Sequence, residues 1–586
     1  MTSLPMNHKQ RPIVRRAVPE HYHELLSALP PLAARICASR GVAHLDELQH
    51  TLDRLPPFTQ LRGIEAATNL LAQTLEQRQR ILVVGDFDAD GATSTALALR
   101  ALRMMGAEQV DFLVPNRFEY GYGLTPEIVA VAVERQPDLI VTVDNGISSL
   151  DGVAAARARG IKVLVTDHHL PAAELPLADA IVNPNQPGDE FPSKVLAGVG
   201  VIFYVMLALR SRLRQDGWFT RRNMEEPNLA QLLDLVALGT VADVVPLDQV
   251  NRILVAQGLA RMRSGKLSPG LLALLEVAGR QTARLVAADL GFAIGPRLNA
   301  AGRMDDMSLG IRCLLSESLN TAHPLAQTLD QLNQERRGVE DEMKEQALAE
   351  LRRMHLEESA ELPVGLCLYD PSWHQGVVGI LASRIKDRLH RPVIVFTDSG
   401  SGEIKGSARS VPGLHIRDAL DAVAAQHPGL LVKFGGHAMA AGLTLRRDAL
   451  EAFRAAFDNE VQRQLGPQPP AHELFSDGDL APEEATLEAA EILRFLTPWG
   501  QGFPEPLFDG VFDIVQQRVV GEKHIKLLLR WAGHATTVDA IAFHADLAQW
   551  QGATGQIRLA YRLDVNEFRD RRTVQLIVEY METILN

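Results

Sequence analysis

The sequence is poor in cysteine and lacks a long apolar segment. Its 586 residues include three cysteines, Cys37, Cys313 and Cys367, which are too few and too scattered for a disulfide framework. The longest uncharged run, residues 197–209, is too short to cross a bilayer and is typical of a buried helix. The first residues also lack the apolar core of a signal peptide. Together, these absences predict a soluble protein of the reducing cytoplasm.

An excess of basic residues, which is common in proteins that bind nucleic acid strongly, is missing as well. The formal net charge is −13, from 59 lysines and arginines against 72 aspartates and glutamates. This sum does not exclude a local basic groove, and a divalent-metal site would itself require acidic residues. The net charge therefore argues neither for nor against a nucleic-acid substrate.

Short apolar runs alternate with helical patterns between residues 81 and 185. Patterns with apolar residues three and four positions apart, at 93–107 and 148–160, lie between the runs. Strands that alternate with helices predict a parallel sheet covered on both faces. The runs are ILVV at 81–84, DFLVP at 111–115, LIVTV at 139–143, IKVLV at 161–165 and AIVNP at 180–184.

The length predicts three or four domains, because single cores rarely grow beyond about 250–300 residues. A long, highly charged helical pattern after residue 320 is interpreted as a solvated connecting helix, and alternating patterns from about residue 508 predict a small β-barrel. The predicted divisions are an N-terminal extension at 1–45, a parallel-sheet domain at 46–320, the connecting helix at 321–360, a smaller α/β domain at 361–464, and a barrel domain at 474–586 that follows a linker.

The stretch DFDADG at 86–91 places three carboxylates at alternating positions directly after the first predicted strand. It begins like a calcium loop of the EF-hand type, which needs a bidentate glutamate at its twelfth position. Counted from Asp86, that position is Leu97, and an EF-hand loop is entered from a helix rather than a strand. The pattern therefore favours another role for these acids.

Acids and histidines also follow two other predicted strands. Asp144 of VDNG follows residues 139–143, and Asp167, His168 and His169 of TDHH follow residues 161–165, while Asp243 follows an apolar pattern that is not an obvious strand. A single aspartate after a strand is usually a turn residue or a helix cap. Three strand ends, however, share the edge of a parallel sheet where ligands bind.

Carboxylates gathered at one sheet edge would repel one another unless cations lay between them. Carboxylates with one or two imidazoles and no thiolate favour Mg²⁺ or Mn²⁺ over structural zinc. Two such ions clamp the attacking and leaving oxygens of a phosphoryl transfer and activate water near neutral pH. The residues alone therefore predict two-metal hydrolysis of a phosphoester.

The motifs resemble, in kind and order, those of the DHH phosphoesterases, and among them the bacterial exonucleases that digest single-stranded DNA from the 5′ end. The resemblance covers nearly all of the chain beyond about residue 40. It implies a DHH domain, a smaller DHH-associated (DHHA1) domain after the connecting helix, and a C-terminal OB-fold barrel. The matching motifs are GDFDADG, VDNG, TDHH, VADVVP, GPRLNAAGRM, WHQGVVGILASR, GSARS, GGHAMAAG and PWGQGFPEPLF.

The resemblance also implies the metal ligands, with Asp144 as the bridge between two ions. Many family members carry a histidine where this chain has Val84, which leaves one metal shell open to Asp86 or water. Asp167 and His169 would orient the site or contact the scissile phosphate. The implied ligands are Asp86, Asp88, Asp90, Asp144, His168 and Asp243, and the implied catalytic residues are Asp88, Asp144, Asp167, His168 and His169.

A further set of residues would hold the phosphates of DNA, above all a terminal 5′-phosphate. Arginine pairs bidentately with phosphate, and paired glycines permit close backbone approach. A simple turn competes with this role for the glycine pair, a surface charge for Arg303, and a packed structural side chain for His374. The implied residues are Arg117, Arg297, Asn299, Arg303, His374, Arg384, Ser407, Arg409, Gly435, Gly436 and His437.

Two clusters suggest contacts with the bases and backbone of a single strand. Arg117 is interleaved with aromatic residues in PNRFEYGYGL, whose rings would stack on bases or else close a core. In the barrel, four basic side chains would line a groove or else form an ordinary exposed strand edge. These are Lys523, His524, Lys526 and Arg530.

We therefore predict a single-strand-specific 5′→3′ exodeoxyribonuclease of recombination and repair. It would use two Mn²⁺ or Mg²⁺ ions, and two lobes joined by the long helix would enclose one DNA strand. Its expected partners are a single-strand-binding protein and a DNA helicase. A phosphodiesterase for short oligonucleotides or cyclic dinucleotides is an alternative, but the barrel argues against it. A non-catalytic replication scaffold is another, but the intact acids and TDHH argue against it.

Overall fold

The fold is described from a computed structural model, in which contacts divide the chain into two compact units. One unit contains residues 15–333 and 475–586, and the other contains residues 1–14 and 334–474. Within the described ranges, no helix is both long enough and apolar enough to span a membrane. The described residues are 11–20, 22–115, 123–358, 362–400, 402–468, 473–521, 523–545, 547–568 and 571–584.

The strands are numbered here in chain order. They are β1 (Ile13–Arg15), β2 (Ile81–Val84), β3 (Val110–Leu113), β4 (Leu139–Val143), β5 (Lys162–Thr166), β6 (Ala180–Val182), β7 (Leu366–Tyr369), β8 (Val393–Gly400), β9 (Glu403–Arg409), β10 (Lys433–Gly436), β11 (Ala440–Arg446), β12 (Leu474–Ser476), β13 (Phe508–Val520), β14 (His524–Trp531), β15 (Thr537–Ala542), β16 (Gln556–Phe568) and β17 (Arg571–Thr583).

The helices are numbered in the same way. They are α1 (Tyr22–Leu25), α2 (Pro31–Ala38), α3 (Ile64–Glu76), α4 (Ala89–Met104), α5 (Pro126–Val133), α6 (Leu150–Arg157), α7 (Gly198–Gln215), α8 (Trp218–Arg221), α9 (Leu233–Ala242), α10 (Gln249–Arg263), α11 (Pro269–Val277), α12 (Ala287–Asp289), α13 (Gly295–Met304), α14 (Ser308–Leu315), α15 (Leu319–Glu358), α16 (Val378–Leu389), α17 (Ile416–Gln426), α18 (Leu450–Leu465), α19 (Leu487–Phe495) and α20 (Leu547–Trp550).

The predicted parallel sheet is confirmed, with strand order β3-β2-β4-β5-β6 and every neighbouring pair parallel. The strands β2 and β4 are buried along their whole length, because helices pack on both faces of the sheet. The chain leaves β2 towards β3 on one side and returns to β4 on the other. The carboxyl ends of β2 and β4 therefore form a topological switch point, where open α/β sheets bind ligands.

The helices that cover this switch point are nearly all apolar. The uncharged run at 197–209 forms the buried part of α7, which packs with α9 against α4. The long helix α15 is less solvated than predicted, because Ala322, Ala326 and Leu329 in its first half belong to the core of this unit. This core holds α4 firmly beneath the carboxyl ends of the strands.

The second unit contains the smaller α/β domain that the sequence predicts. Its sheet has the order β10-β11-β9-β8-β7, in which β7 and β8 are parallel and the other pairs are antiparallel. Its core lies between this sheet and the helices α17 and α18, with Phe396, Phe453 and Phe457 at its centre.

The predicted C-terminal barrel is also confirmed. The strands close in the order β13-β14-β15-β17-β16, and β15 pairs with β17 in parallel. Phe508, Phe512 and Tyr561 fill the interior, where alternate residues of each strand point inward. Within the described part of the barrel, each strand pairs with a neighbour on both sides.

A buried ion pair fixes the start of the barrel domain to the N-terminal segment. The Nη1 and Nη2 atoms of Arg40 donate to the two carboxylate oxygens of Asp477 at 2.7 and 2.9 Å, and both side chains are almost completely buried. The guanidinium also lies over the ring of Trp499. Burying such a pair is favourable only because both hydrogen bonds are made.

We predict that Arg40→Ala lowers the free energy of unfolding by about 3–5 kcal/mol, because it leaves the carboxylate of Asp477 buried without its cation. Urea unfolding followed by circular dichroism measures this loss. The matched control is Arg446→Ala, which removes the exposed pair with Asp448 and should leave the transition unchanged. Equal losses in the two variants would contradict the prediction.

Candidate active site

The three acids of DFDADG do not leave β2 as a continued strand. Asp88 is the N-cap of α4, and its Oδ1 accepts a hydrogen bond from the Gly91 amide at 3.0 Å. Asp90 therefore lies in the first helical turn, where it is completely buried. A Cβ at Gly91 would lie 2.6 Å from the backbone oxygen of Asp86. The glycine is thus required by the close packing of the helix start on the strand end.

The other acids reach the same edge from separate elements. Asp144 follows β4 with a φ of 61°, and its amide donates to the Thr166 carbonyl at 3.1 Å. Asp167 follows β5, and Asp243 is the C-cap of α9. Separate chain segments therefore bring their polar side chains to the carboxyl end of one sheet.

His168 lies at the centre of this cluster. Its Nε2 is 3.1 Å from Asp144 Oδ1, 3.5 Å from Asp243 Oδ2 and 4.0 Å from Asp90 Oδ2. All six predicted ligands fall into groups whose ligand atoms lie within 4.8 Å of one another, and Asp144 occurs in two of these groups. The groups are Asp86, Asp88 and Asp144; Asp90, His168 and Asp243; and Asp144, His168 and His169.

The electrostatics of the cluster favour a cation. Burial and the neighbouring carboxylates raise the pKa of Asp90 to about 7, and they raise the pKa values of Asp144 and Asp243 well above the ordinary range. Burial lowers the pKa of His168 to about 4, so its imidazole is neutral at pH 7 and able to bind metal. Crowded carboxylates with one neutral imidazole and no thiolate fit Mn²⁺ or Mg²⁺.

The N-terminus of α7 anchors Asp90. The amides of Gly198 and Val199 donate to its two oxygens at 2.7 and 2.9 Å. The helix dipole stabilises an ionised carboxylate at this position. Asp90 therefore has a structural partner in addition to its predicted role as a ligand.

Two glycines that sequence reasoning missed make room for the acids. A Cβ at Gly198 would lie 2.8 Å from Oδ1 of Asp144, and a Cβ at Gly239 would lie 2.8 Å from Oδ1 of Asp90. They occur in AGVG and ALGT, inside the apolar patterns of α7 and α9. A glycine within an otherwise strong helical pattern is the signal that points to such close approach.

Asp167 orients His169 and is held by backbone amides. Its Oδ1 accepts hydrogen bonds from the amide of His168 at 2.7 Å and from His169 Nδ1 at 2.8 Å, and its Oδ2 accepts one from the Ile147 amide at 2.9 Å. Burial alone would lower the pKa of His169, but the hydrogen bond to Asp167 raises it to about 9. His169 is therefore an imidazolium at neutral pH, beside the neutral ring of His168.

Val84 contributes no ligand and is completely buried at the end of β2. Asn145, which sequence reasoning also missed, donates from Nδ2 to the carbonyl of Val84 at 3.1 Å and to that of Val143 at 2.9 Å. The Asn145 side chain therefore links the carboxyl ends of β2 and β4, which precede Asp86 and Asp144 in the chain.

The motif GPRLNAAGRM forms α13, which packs directly on the turn between Asp86 and Asp88. A Cβ at Gly302 would lie 1.8 Å from the carbonyl oxygen of Phe87, and Asn299 Oδ1 accepts from the Ala89 amide at 2.8 Å. Arg297 pairs with Asp330 at 2.8 Å, and Arg303 is half-buried on the same helix. Of the predicted residues on this helix, Asn299 contacts the acid turn directly, while Arg297 pairs with Asp330.

Phe292 stands at the entrance to this helix and was not singled out by sequence reasoning. It lies in a π-helical segment, Leu290–Ile294, and its side chain is 80% exposed. Single π-turns often occur at functional sites.

In the second unit, Ser407 and Arg409 lie on β9. Arg409 Nη1 donates to Ser407 Oγ at 3.0 Å, and a Cβ at Gly379, at the start of α16, would lie 2.8 Å from Arg409 Nη2. Gly436 has a φ of 147° and a Cβ there would lie 2.4 Å from the Ala440 carbonyl oxygen, which also accepts from the His437 amide.

The other residues predicted to contact phosphate are His374, Arg384, Gly435 and Arg117. His374 Nδ1 accepts from the Gly376 amide at 3.1 Å, and Gly435 lies on β10 with open space at its Cβ position. Arg384 pairs with Glu340 on α15 at 2.8 Å. Arg117, with the aromatic residues around it, lies outside the described residues.

Ion pairs neutralise part of the expected positive charge of the barrel. Lys526 lies 3.3 Å from Asp539, and Arg530 lies 3.2 Å from Asp513. His524 makes edge contacts with the rings of Phe543 and His544, and Phe543 is half exposed. Two of the four predicted basic residues are therefore paired with acids, and Lys523 is exposed.

Comparison with known families assigns three segments of the chain. Residues 80–240 match the family described as "DHH family, N-terminal domain", and residues 363–463 match "DHHA1 domain". Residues 476–580 match "RecJ OB domain". The order is the one that the motifs predict.

Curated relatives match the chain over almost its whole length. The single-stranded-DNA-specific exonuclease RecJ of Dickeya dadantii is 56% identical, over 95% of this chain and 97% of that protein. The protein of the same name from Escherichia coli is 54% identical, over 97% of this chain and 99% of that protein.

The crystal structure of RecJ from Thermus thermophilus in complex with Mn²⁺ is similar to this fold. Its TM-score is 0.80 at 30% identity, and the match covers 98% of this chain and 80% of that chain. The Mg²⁺ complex of RecJ from the same organism gives a TM-score of 0.74 at 28% identity, over 98% of this chain and 78% of that chain.

We predict that Gly198→Ala weakens Mn²⁺ binding, because the added methyl group would meet Asp144 and displace it. The loss should be at least about tenfold, the range seen when groups that orient metal ligands are removed, measured by calorimetric titration. The matched control is Gly338→Ala on α15, where a Cβ meets nothing within 4 Å. Unchanged Mn²⁺ affinity in Gly198→Ala would contradict the assignment of Asp144.

Proposed function

The chain belongs to the RecJ family of DHH proteins, and we propose that it is a metal-dependent exonuclease that hydrolyses single-stranded DNA in the 5′→3′ direction. The observation that carries this proposal is the cluster of buried carboxylates around His168 at the switch point of the sheet. The C-terminal barrel favours this function over hydrolysis of small dinucleotides, which need no such platform. The complete set of acids favours it over a non-catalytic scaffold.

The two overlapping groups of ligands suit two Mn²⁺ or Mg²⁺ ions. Asp86 and Asp88 would hold one ion, Asp243, His168 and Asp90 the other, and Asp144 would bridge them. When bound, such ions supply the Lewis acidity that stabilises the attacking and leaving oxygens of a phosphoryl transfer. The protein contributes the fixed geometry, through the N-cap of α4 and the amides of α7.

The protein itself also supplies a positive charge, from the side chain of His169, in addition to the charge of the metal ions. Its imidazolium is held by Asp167 and has a ring nitrogen within 4.8 Å of ligand atoms of Asp144 and His168. From this position it would donate a hydrogen bond to the scissile phosphate and give a proton to the leaving 3′ oxygen. Asp167 acts through His169 and is therefore a positioning residue.

Ser407 and Arg409 are our candidates for holding the terminal 5′-phosphate. The planar guanidinium of Arg409 is held by Ser407 and closely approached by the start of α16, whose amides also favour an anion. The glycine at 436 permits the backbone to come equally close. Recognition of a 5′-phosphate in this domain would set the direction of digestion.

Exposed aromatic rings are our candidates for holding the bases. Phe292 precedes α13, and Phe543 lies on the barrel. Stacking on such rings contributes about 1–3 kcal/mol per base and does not depend on sequence. This mode of binding requires unpaired bases, and it therefore favours single strands.

We also place the enzyme in DNA recombination and repair in the cytoplasm. An exonuclease that accepts one strand depends on another activity to unwind duplex DNA. A DNA helicase and a single-strand-binding protein are therefore its proposed partners.

We predict that Asp144→Asn lowers exonuclease activity more than about 100-fold, since it removes the bridging carboxylate itself rather than an outer partner. End-labelled single- and double-stranded DNA with Mn²⁺, Mg²⁺ or chelator measures the activity, its strand preference and its direction. Asp151→Asn, an exposed acid in the first turn of α6, is the matched control. Full activity in Asp144→Asn, or equal digestion of duplex ends, would refute the proposal.

We predict that Arg409→Gln reduces the preference for 5′-phosphorylated over 5′-hydroxyl strands by about tenfold, the effect of losing a charge-assisted hydrogen bond. Competition between the two labelled strands measures this preference. The control is Arg388→Gln, which removes an exposed cation of α16. An unchanged preference in Arg409→Gln would place the 5′-phosphate elsewhere.

A further inference from the structure

A separate cavity of about 460 Å³ lies at the end of α4 that is remote from the carboxylate cluster. The helix begins at Ala89 and ends at Met104, so Arg103 lies about 20 Å along its axis from Asp90 at 1.5 Å per residue. The other walls come from the turn before α9, the end of α10, the segment that leads into α11, and the end of α14. The cavity shares no residue with the candidate active site.

The lining of the cavity is strongly cationic. Arg100 and Arg103 come from α4, Arg261 from α10, and Lys266 from the segment that follows α10. Among the described residues, none of these four cations has a carboxylate oxygen within 4.0 Å, and the buried Nε of Arg261 has no hydrogen-bond acceptor. Glu317 is the acidic residue of the lining.

A buried acid behind the wall does not neutralise these charges. Asp234 is close enough to Arg100 to interact with it electrostatically. However, its Oδ1 accepts from the Leu235 amide and its Oδ2 accepts from the Ser268 amide, both at 2.8 Å. Its hydrogen bonds therefore fix the start of α9 and the N-cap of α11, and the cations remain directed to the cavity.

Four like charges that converge from three segments repel one another, and solvent weakens this repulsion most at Arg103 and Lys266, which are exposed, and less at Arg100 and Arg261, which are partly buried. In a chain of net charge −13, acidic partners are abundant, yet among the described residues none pairs with these cations. An anion within the cavity would remove this unfavourable interaction. Guanidinium groups pair with phosphate oxygens through two parallel hydrogen bonds, and three of the four cations are arginines.

The cavity also has an apolar side and the size of a small-molecule site. Met104, Leu232 and Leu315 provide apolar surface beside the cations. Pockets for small ligands commonly measure about 300–1,000 Å³ and combine apolar walls with a few charged groups. A ligand with a phosphate at one end and a planar ring at the other matches both parts.

We propose that this cavity binds a phosphate-bearing ligand of nucleotide size. The phosphate lies among Arg100, Arg103, Arg261 and Lys266, and the ring lies against Met104, Leu232 and Leu315. This assignment is independent of the proposed exonuclease reaction, since it uses none of the residues that hold metal or the 5′ end.

The test is calorimetric titration of the full chain with dAMP and with inorganic phosphate, in the presence of chelator. We expect Arg261→Gln with Lys266→Gln to weaken dAMP binding by at least about tenfold, and inorganic phosphate to bind more weakly than dAMP. The matched double variant, Arg159→Gln with Arg388→Gln, removes two exposed cations elsewhere and should bind as the original chain does.

A second measurement locates the ligand without relying on variants. Modification of arginines by phenylglyoxal, quantified by peptide mass spectrometry, should fall several-fold at Arg103 and Arg261 when dAMP is added and should not change at Arg159. Absence of this protection, or equal dAMP affinity in both double variants, would overturn the proposal. Equal affinity for inorganic phosphate and dAMP would overturn the nucleotide assignment, as would protection by hexa-aspartate but not by dAMP.

Discussion

Mutual repulsion between buried carboxylates is the constraint around which this fold is arranged. Burial and the neighbouring carboxylates raise the pKa values of Asp90, Asp144 and Asp243, although the side chain of Asp243 keeps some exposure to solvent. The protein offsets part of this cost with the amides of α7 at Asp90. The repulsion that these amides do not offset would be removed by divalent cations. This remaining repulsion is the reason we expect the site to bind metal.

The loop that follows Asp243 is also packed against the segment that leads into the barrel. The segment PWGQGF, which leads into the barrel, packs on the loop after Asp243, where the Leu247 amide donates to the Gln501 carbonyl at 2.7 Å. The guanidinium carbon of Arg252, at the start of α10, lies 4.3 Å from the ring centroid of Phe503. Asp243 follows a helix and not a strand, so strand pairing does not fix its position. Its position depends instead on packing contacts such as these.

Several features were predictable because their signals are local. The alternation of apolar runs and helical patterns predicted the parallel sheet, and the period of two predicted the barrel strands. The positions of Asp144 and His168 followed from the rule that parallel strands share a carboxyl edge. The start of α4 was predicted at residue 93 but lies at Ala89, because Asp88 acts as a cap as well as a candidate ligand. The long helix was predicted as solvated, but its first half packs into the core.

The sequence by itself determined the types of element, their order and the set of candidate ligands, because period, turn residues and motif order are written along the chain. Only the tertiary structure decided which atoms meet. Gly198 and Asn145 act on residues far away in sequence, and the cations of the second cavity come from separate segments. Such contacts depend on how the helices pack against the sheet. Packing brings together side chains that are far apart in the sequence, and no local pattern predicts which of them will meet.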